Sequence, residues 1–212
     1  MTMIKNYDIG NGQTIGSGEI QSNYFSTVFN NAGNLFAVLA DGGIDHQNGR
    51  KAAILAVEFC VDAFLMGRIS PDKNNAMYEL ALKVNRRLEE VLYMDRSPKL
   101  SLTIVLIRSQ ELFYFNAGSN RIYYYDGMNE RSLDGDIESS HSLGKLEMIP
   151  GDVVGMYSAG VHTITHPMER IEIAESSDVS AFDRAQAVIE TVIHKGLQNQ
   201  LNATVLLIEV NK

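Results

Sequence analysis

Apolar positions along the chain fall into two periods, and these divide it into strands and helices. "SNYFSTVFN" (Ser22 to Asn30) is rich in β-branched and aromatic residues, "NAGN" turns the chain, and "LFAVLA" (Leu35 to Ala40) follows. Two such runs around a Gly/Asn turn predict a hairpin. From Gly49 to Met66 the pattern is helical and apolar on most sides, which predicts a well-buried helix. Glu58, Asp62 and Lys51 share one face of it and read as a solvated stripe. Ser70-Pro71 has the form of an N-cap followed by proline at the first helical position. The helix after it carries one apolar stripe through Met77, Leu80, Ala81, Val84, Leu88, Val91 and Leu92.

Beyond Pro98 the period changes. "LSLTIVLIRS", "ELFYFNAG" and "RIYYYDG" predict three strands joined by tight turns. Met128 to Ser142 is polar and reads as loop. "PGD" turns into the strand "VVGMYS". A last helix over about Ala181 to Lys195 has the apolar face Phe182, Ala185, Val188, Ile189, Val192 and Ile193, and Gly196 stands at its C′ position. "ATVLLIEV" (Ala203 to Val210) is a nearly all-apolar closing strand, expected inside a sheet. Segregated runs of strands and helices predict an α+β class: two antiparallel sheets with helices outside both.

Composition narrows the function. The 212 residues favour one domain, at roughly 100–200 residues per domain. A hydrophobic share of 45% with 21% charged residues is that of a globular chain. The net charge of -8 argues against nucleic acid and anionic lipid, both of which need clustered Lys and Arg. The one cysteine, Cys60, lies in an apolar run and reads as a small buried hydrophobe. With no disulfide framework and no apolar segment at the start, a cytoplasmic protein is expected.

Four stretches, in order, resemble the metal-dependent protein phosphatases (the PPM family, type 2C). "LFAVLADGGIDHQNG" is similar to Phe-x-Val-x-Asp-Gly-x-Gly-Gly-His, and "FNAGSNR" to Asn-x-Gly-Asp-Ser-Arg. "GDVVGMYSAGV" is similar to Gly-Asp-x-(apolar)-Ser-Asp-Gly, and "LNATV" to the closing Asp-Asn-x-Thr-Val. "QSNYF" sits where the family has Asn-(Glu/Gln)-Asp. The resemblance covers about Thr14 to Val210 and implies one PPM-type phosphatase-like domain over 1–212. It also implies a four-layer αββα sandwich with two Mg²⁺ or Mn²⁺ ions, whose bridging water attacks a phosphoserine or phosphothreonine.

The residues depart from that pattern at the ligands. Asp41 and Gly42 match the shared Asp-Gly, and His46 the motif histidine. Asn23, Ala159 and Leu201 stand where the family has Asp, leaving Asn202 of the closing pair. Ser119 replaces another Asp, although Arg121 remains. Upstream, Gly18 or Glu19 occupies the place of a phosphate-binding Arg. Two divalent ions carry four positive charges, and Asp41 returns one negative charge. Mg²⁺ gives up water reluctantly, so one carboxylate does not compete for it. The expectation is a pseudophosphatase with no resident cofactor that binds a protein partner, such as a phosphoprotein. Asp41 and Gly42 would be residual ligands, and Arg121, Ala159 and Asn202 would line a vestigial pocket.

The alternative is a divergent serine/threonine phosphatase whose Mn²⁺ or Mg²⁺ site is rebuilt from Asp41, Asp45, His46 and Asn23. A ligand sensor using the emptied cleft is a third reading. His162 and His166 have the i, i+4 spacing of a helical metal pair, but Pro167 follows and no acidic partner is adjacent, so they read as surface histidines. Tyr123, Tyr124 and Tyr125 read as strand packing.

Overall fold

The computed structural model describes residues 6–43, 46–69, 75–92, 100–127, 129–134 and 140–211. The chain forms two compact units. One contains the chain up to Gly18, Arg121–Leu133 and the chain from Met148 onward; the other contains Glu19–Asn120 and Asp134–Glu147. In order, the elements are β1 (Tyr7–Thr14), β2 (Asn23–Phe29), β3 (Leu35–Asp41), α1 (His46–Leu65), α2 (Ala76–Leu92) and β4 (Ser101–Arg108). β5 (Glu111–Ala117), β6 (Arg121–Tyr125), β7 (Glu130–Ser132), β8 (His141–Glu147) and β9 (Val153–Tyr157) come next. α3 (Ala159–His162), α4 (Pro167–Ala174), α5 (Ala181–Lys195) and β10 (Ala203–Val210) complete the chain.

Glu19–Asn120 and Asp134–Glu147 build the antiparallel sheet β2-β3-β4-β5-β8. All seven residues of β3 are buried, as are the first seven of β4, which is why those runs read as continuously apolar. Phe36, Val38, Ala40, Leu102, Ile104 and Leu106 pack one face against α1 and α2. The contact side of α1 is small (Ala52, Ala53, Ala56, Cys60), so the helix lies close to the strands, and Phe64 stacks on Phe36 with centroids 4.8 Å apart. Cys60 is fully buried there, and burial pushes its thiol well above the usual range.

The other unit carries the antiparallel sheet β1-β10-β9-β6-β7. β10 is paired on both sides, as its apolar run implies. α5 lies on β1 and β10, capped by Ser180, whose Oγ accepts the Asp183 N–H, and ended by Gly196 at φ 55°. Its approach needs a bare backbone below: an ideal Cβ on Gly10 would stand 1.8 Å from the Ala181 carbonyl oxygen.

Several elements differ from the sequence expectation. β1 was not anticipated, because "YDIGNGQT" lacks a clean alternation. The polar stretch after Met128 contains β7 and the start of β8. β5 and β6 are not neighbours: β6 pairs with β7 and β9 in the other sheet. α3 and α4 add two helices before α5. Phe182 and Ile193, assigned to the apolar face of α5, are half exposed. The second helix begins at Ala76, and Ser70-Pro71 lies outside the described residues.

Candidate functional site

The sequence-selected residues fall at the ends of strands, within each unit separately. β3 ends on Asp41, which stands opposite Asn23 of β2 and Ser101 of β4. The Gly42 N–H donates to Ser22 O and the Asn30 N–H to Asn34 O, so the even-numbered residues of β2 bond to β3. Asn23 and Asp41 are therefore a non-hydrogen-bonded pair, the kind whose side chains come closest across a ladder. Asn23 is 1% exposed and Asp41 8%. The Gly43 N–H donates to Asp41 Oδ1 at 2.8 Å. Burial nevertheless holds the Asp41 carboxyl above its ordinary range, with the Gly43 bond opposing.

The glycines after Asp41 have a packing reason. An ideal Cβ on Gly42 would stand 2.1 Å from the Gly49 carbonyl oxygen, and one on Gly49 would stand 2.3 Å from that of Gly42. The first turn of α1 thus crosses the end of β3 backbone to backbone. His46 opens α1, and Asp45 lies outside the described residues. Arg50 donates from Nη1 to Gln21 O at 2.6 Å, tying the helix to the segment before β2.

Hydroxyl and amide groups carry the hydrogen bonds at the neighbouring strand ends. Ser119 donates from its N–H to Ser101 Oγ at 2.9 Å, and the two hydroxyls are also 2.9 Å apart. Buried Asn116 accepts from Thr103 Oγ1 at 2.6 Å and donates to Asn120 O and Asp134 Oδ1. Sequence reasoning picked out Ser119 but missed this amide network. The available signal was a lone Asn inside the aromatic run "FYFNAG".

In the other unit, β9 runs through Ser158 into α3. Ser158 Oγ accepts the Thr204 N–H at 2.9 Å, and the Ser158 N–H donates to Thr204 O at 2.9 Å. Ala159 is buried at the first position of α3. Gly160 lies so close to the chain before β10 that a Cβ would stand 2.3 Å from Asn202 O and 2.8 Å from Leu201 O. The structure thus brings Ala159, Leu201 and Asn202 into one corner. Leu201 is 43% exposed there. Arg121 begins β6 opposite Tyr157.

His162 ends α3, and His166 caps α4: its Nδ1 accepts the Met168 N–H, and Glu169 reaches back to its backbone N–H. Among the described residues no group of three or more His, Cys, Asp and Glu side chains is placed to hold a metal ion. Nor is any described helix long and apolar enough to cross a membrane.

A second buried cluster escaped sequence reasoning. Arg170 of α4 donates from Nε and Nη2 to the two carboxylate oxygens of Glu130 at 2.7 and 2.6 Å. The Tyr125 hydroxyl donates to Glu130 Oε2 at 3.0 Å and lies 2.9 Å from that of Tyr157. The Arg170 guanidinium also sits 4.5 Å from the Tyr123 ring centroid. Tyr123 and Tyr125 thus pack around an ion pair whose cation comes from α4, while Tyr124, on the other face of β6, donates its hydroxyl to Asp152.

No family model and no curated protein matches the sequence. Solved structures do match. The chain aligns with the serine/threonine phosphatase Stp1 from Staphylococcus aureus at 12% identity and TM-score 0.83, over 96% of this chain and 95% of that one. The catalytic domain of the serine/threonine phosphatase PstP, solved with two manganese ions, aligns at 15% identity and TM-score 0.81, over 97% and 99%. The S. agalactiae serine/threonine phosphatase aligns at 19% and 0.75, over 97% and 100%. The fold is that of these phosphatases. Two antiparallel sheets flanked by helices, expected from the segregated pattern, are shared along almost the whole chain. At these identities the likeness rests on backbone, and the side chains described above carry the chemistry.

Proposed function

We propose that this chain is a phosphatase-fold binding module that has lost two-metal hydrolysis. The observation that carries the reading is the chemistry of the two corners. Asp41 faces the amide Asn23, where a second carboxylate would be needed. The Ser158-to-Gly160 turn is fixed by the Ser158–Thr204 hydrogen bond and by Gly160 lying against Asn202 and Leu201, and the residues there, Ala159 and Leu201, carry no oxygen ligand in their side chains. The donor set does not fit a pair of divalent cations, because hard cations take oxygen ligands and need their charge compensated.

A protein partner fits the remaining chemistry better than a nucleic acid or an anionic membrane, given the net charge of -8. Phosphoproteins are the first class to screen, with Arg121 as the cation that would meet the phosphate. Calorimetric titration with Mn²⁺ and a phosphatase reporter substrate test the reading. Neither saturable metal binding nor turnover is expected. Restoring Asn23→Asp, Ala159→Asp and Leu201→Asp together is expected to create Mn²⁺ affinity. No gain from that triple variant would mean that these three positions do not correspond to the family's ligand positions.

A further inference from the structure

We propose that β2 is a self-pairing edge, through which two copies of this chain join antiparallel about Ser26. Among the described residues β2 is one of the two outer strands of its sheet. Its even-numbered residues bond to β3, so the backbone groups of Phe25 and Thr27 point away from the sheet. The Asn23 N–H is already occupied, donating to Gln21 Oε1 at 3.0 Å. That leaves a short window of outward donors and acceptors centred on Ser26.

Edge strands are normally protected by Lys, Pro, a bulge or a cover. β2 carries none of the sequence devices. Residues 20–40 contain no Asp, Glu, Lys or Arg, the longest such run in the chain. Tyr24 and Phe29 are 37% and 47% exposed on this strand. In an acidic protein most surfaces repel their own copies, whereas an uncharged edge brings no like charges together at a two-fold axis.

The backbone fixes the register. Pairing Phe25 with Thr27 of the second copy, and Thr27 with its Phe25, satisfies all four groups on each side. Ser26 then faces its own mate in a non-hydrogen-bonded pair, and Tyr24 lies across from Val28. Shifting the strands by two residues pairs one of the two open residues with Asn23 or Phe29. Main-chain hydrogen bonds supply the affinity, as in other strand additions.

Sedimentation across a concentration series, together with cross-linking, tests this. The native chain is expected to shift from monomer to dimer as concentration rises. Ser26→Cys is expected to form an intermolecular disulfide on oxidation, since facing non-hydrogen-bonded Cα atoms lie about 4.5 Å apart, within disulfide reach. Ser177→Cys, exposed in the other unit, serves as control. Thr27→Pro removes an outward N–H without touching the β3 ladder, and Ser26→Lys sets two charges face to face; both are expected to abolish the dimer while the fold persists by circular dichroism. A monomer at every concentration with no excess Ser26→Cys cross-link overturns the proposal. So does a dimer that survives both variants, which would join through another face. A monomer that binds extended peptides of other sequence, but not the peptide SNYFSTVFN, would assign the edge to a different chain.

Discussion

Asp41 is a buried carboxylate that accepts the Gly43 N–H and stands opposite Asn23 and Ser101 on the neighbouring strands. Its folded form holds a proton more tightly than its unfolded form, because burial raises the carboxyl above its ordinary range. Such a group contributes most to stability below its unfolded pKa, and that contribution is lost as pH rises through the folded value. In EDTA, Asp41→Asn is therefore expected to raise the melting temperature at pH 7, with the gain shrinking as pH falls toward 4. Thermal melts of both proteins across that range check it, and a gain that grows on acidification would contradict it. Glu130 gives a complementary case. Glu130→Gln leaves the Arg170 guanidinium, 4% exposed, without its counter-charge, and is expected to cost about 3–5 kcal/mol in denaturant unfolding. The double change Glu130→Leu with Arg170→Met removes both charges and is expected to recover most of that loss.

At the scale of elements, the glycines following Asp41 serve the crossing of β3 by α1. Gly42→Ala or Gly49→Ala is expected to lose about 1–3 kcal/mol by overpacking, measured by urea unfolding. A neutral result for both would mean the helix shifts freely. The same close approaches explain which elements were legible. β3, β4, β10 and α2 have long, regular patterns, and their burial follows them. β1 was invisible because its glycines make room for α5 and so erase the alternation that marks a strand. Only His141 and Ser142 of β8 fall in the expected loop; the rest carries no strand signal because β8 is an edge strand with only partly buried or exposed residues, and its Gly144 lies under the Tyr114 ring. The exchange of β6 into the other sheet leaves no local mark either: a short turn between two strands looks the same whether the strands pair or part. Arg170–Glu130 joins residues 40 positions apart, beyond any spacing rule.

For the whole molecule, fold and side-chain chemistry are separate matters. Each unit has a strand-end turn fixed by its own packing, Gly42 against Gly49 in one, Ser158 against Thr204 and Gly160 against Asn202 in the other. Those turns are fold-forming in their own right, because close backbone approaches and hydrogen bonds fix them. The chain shares its fold over almost its full length with serine/threonine phosphatases at 12–19% identity, a likeness of backbone that is compatible with different chemistry. A fold that stands without two-metal chemistry is tested by calorimetric titration of the native chain with Mn²⁺, followed by the reporter assay at the highest metal concentration. No saturable binding and no turnover are expected; micromolar Mn²⁺ affinity with hydrolysis that Asp41→Asn abolishes would mean that a working metal centre is present.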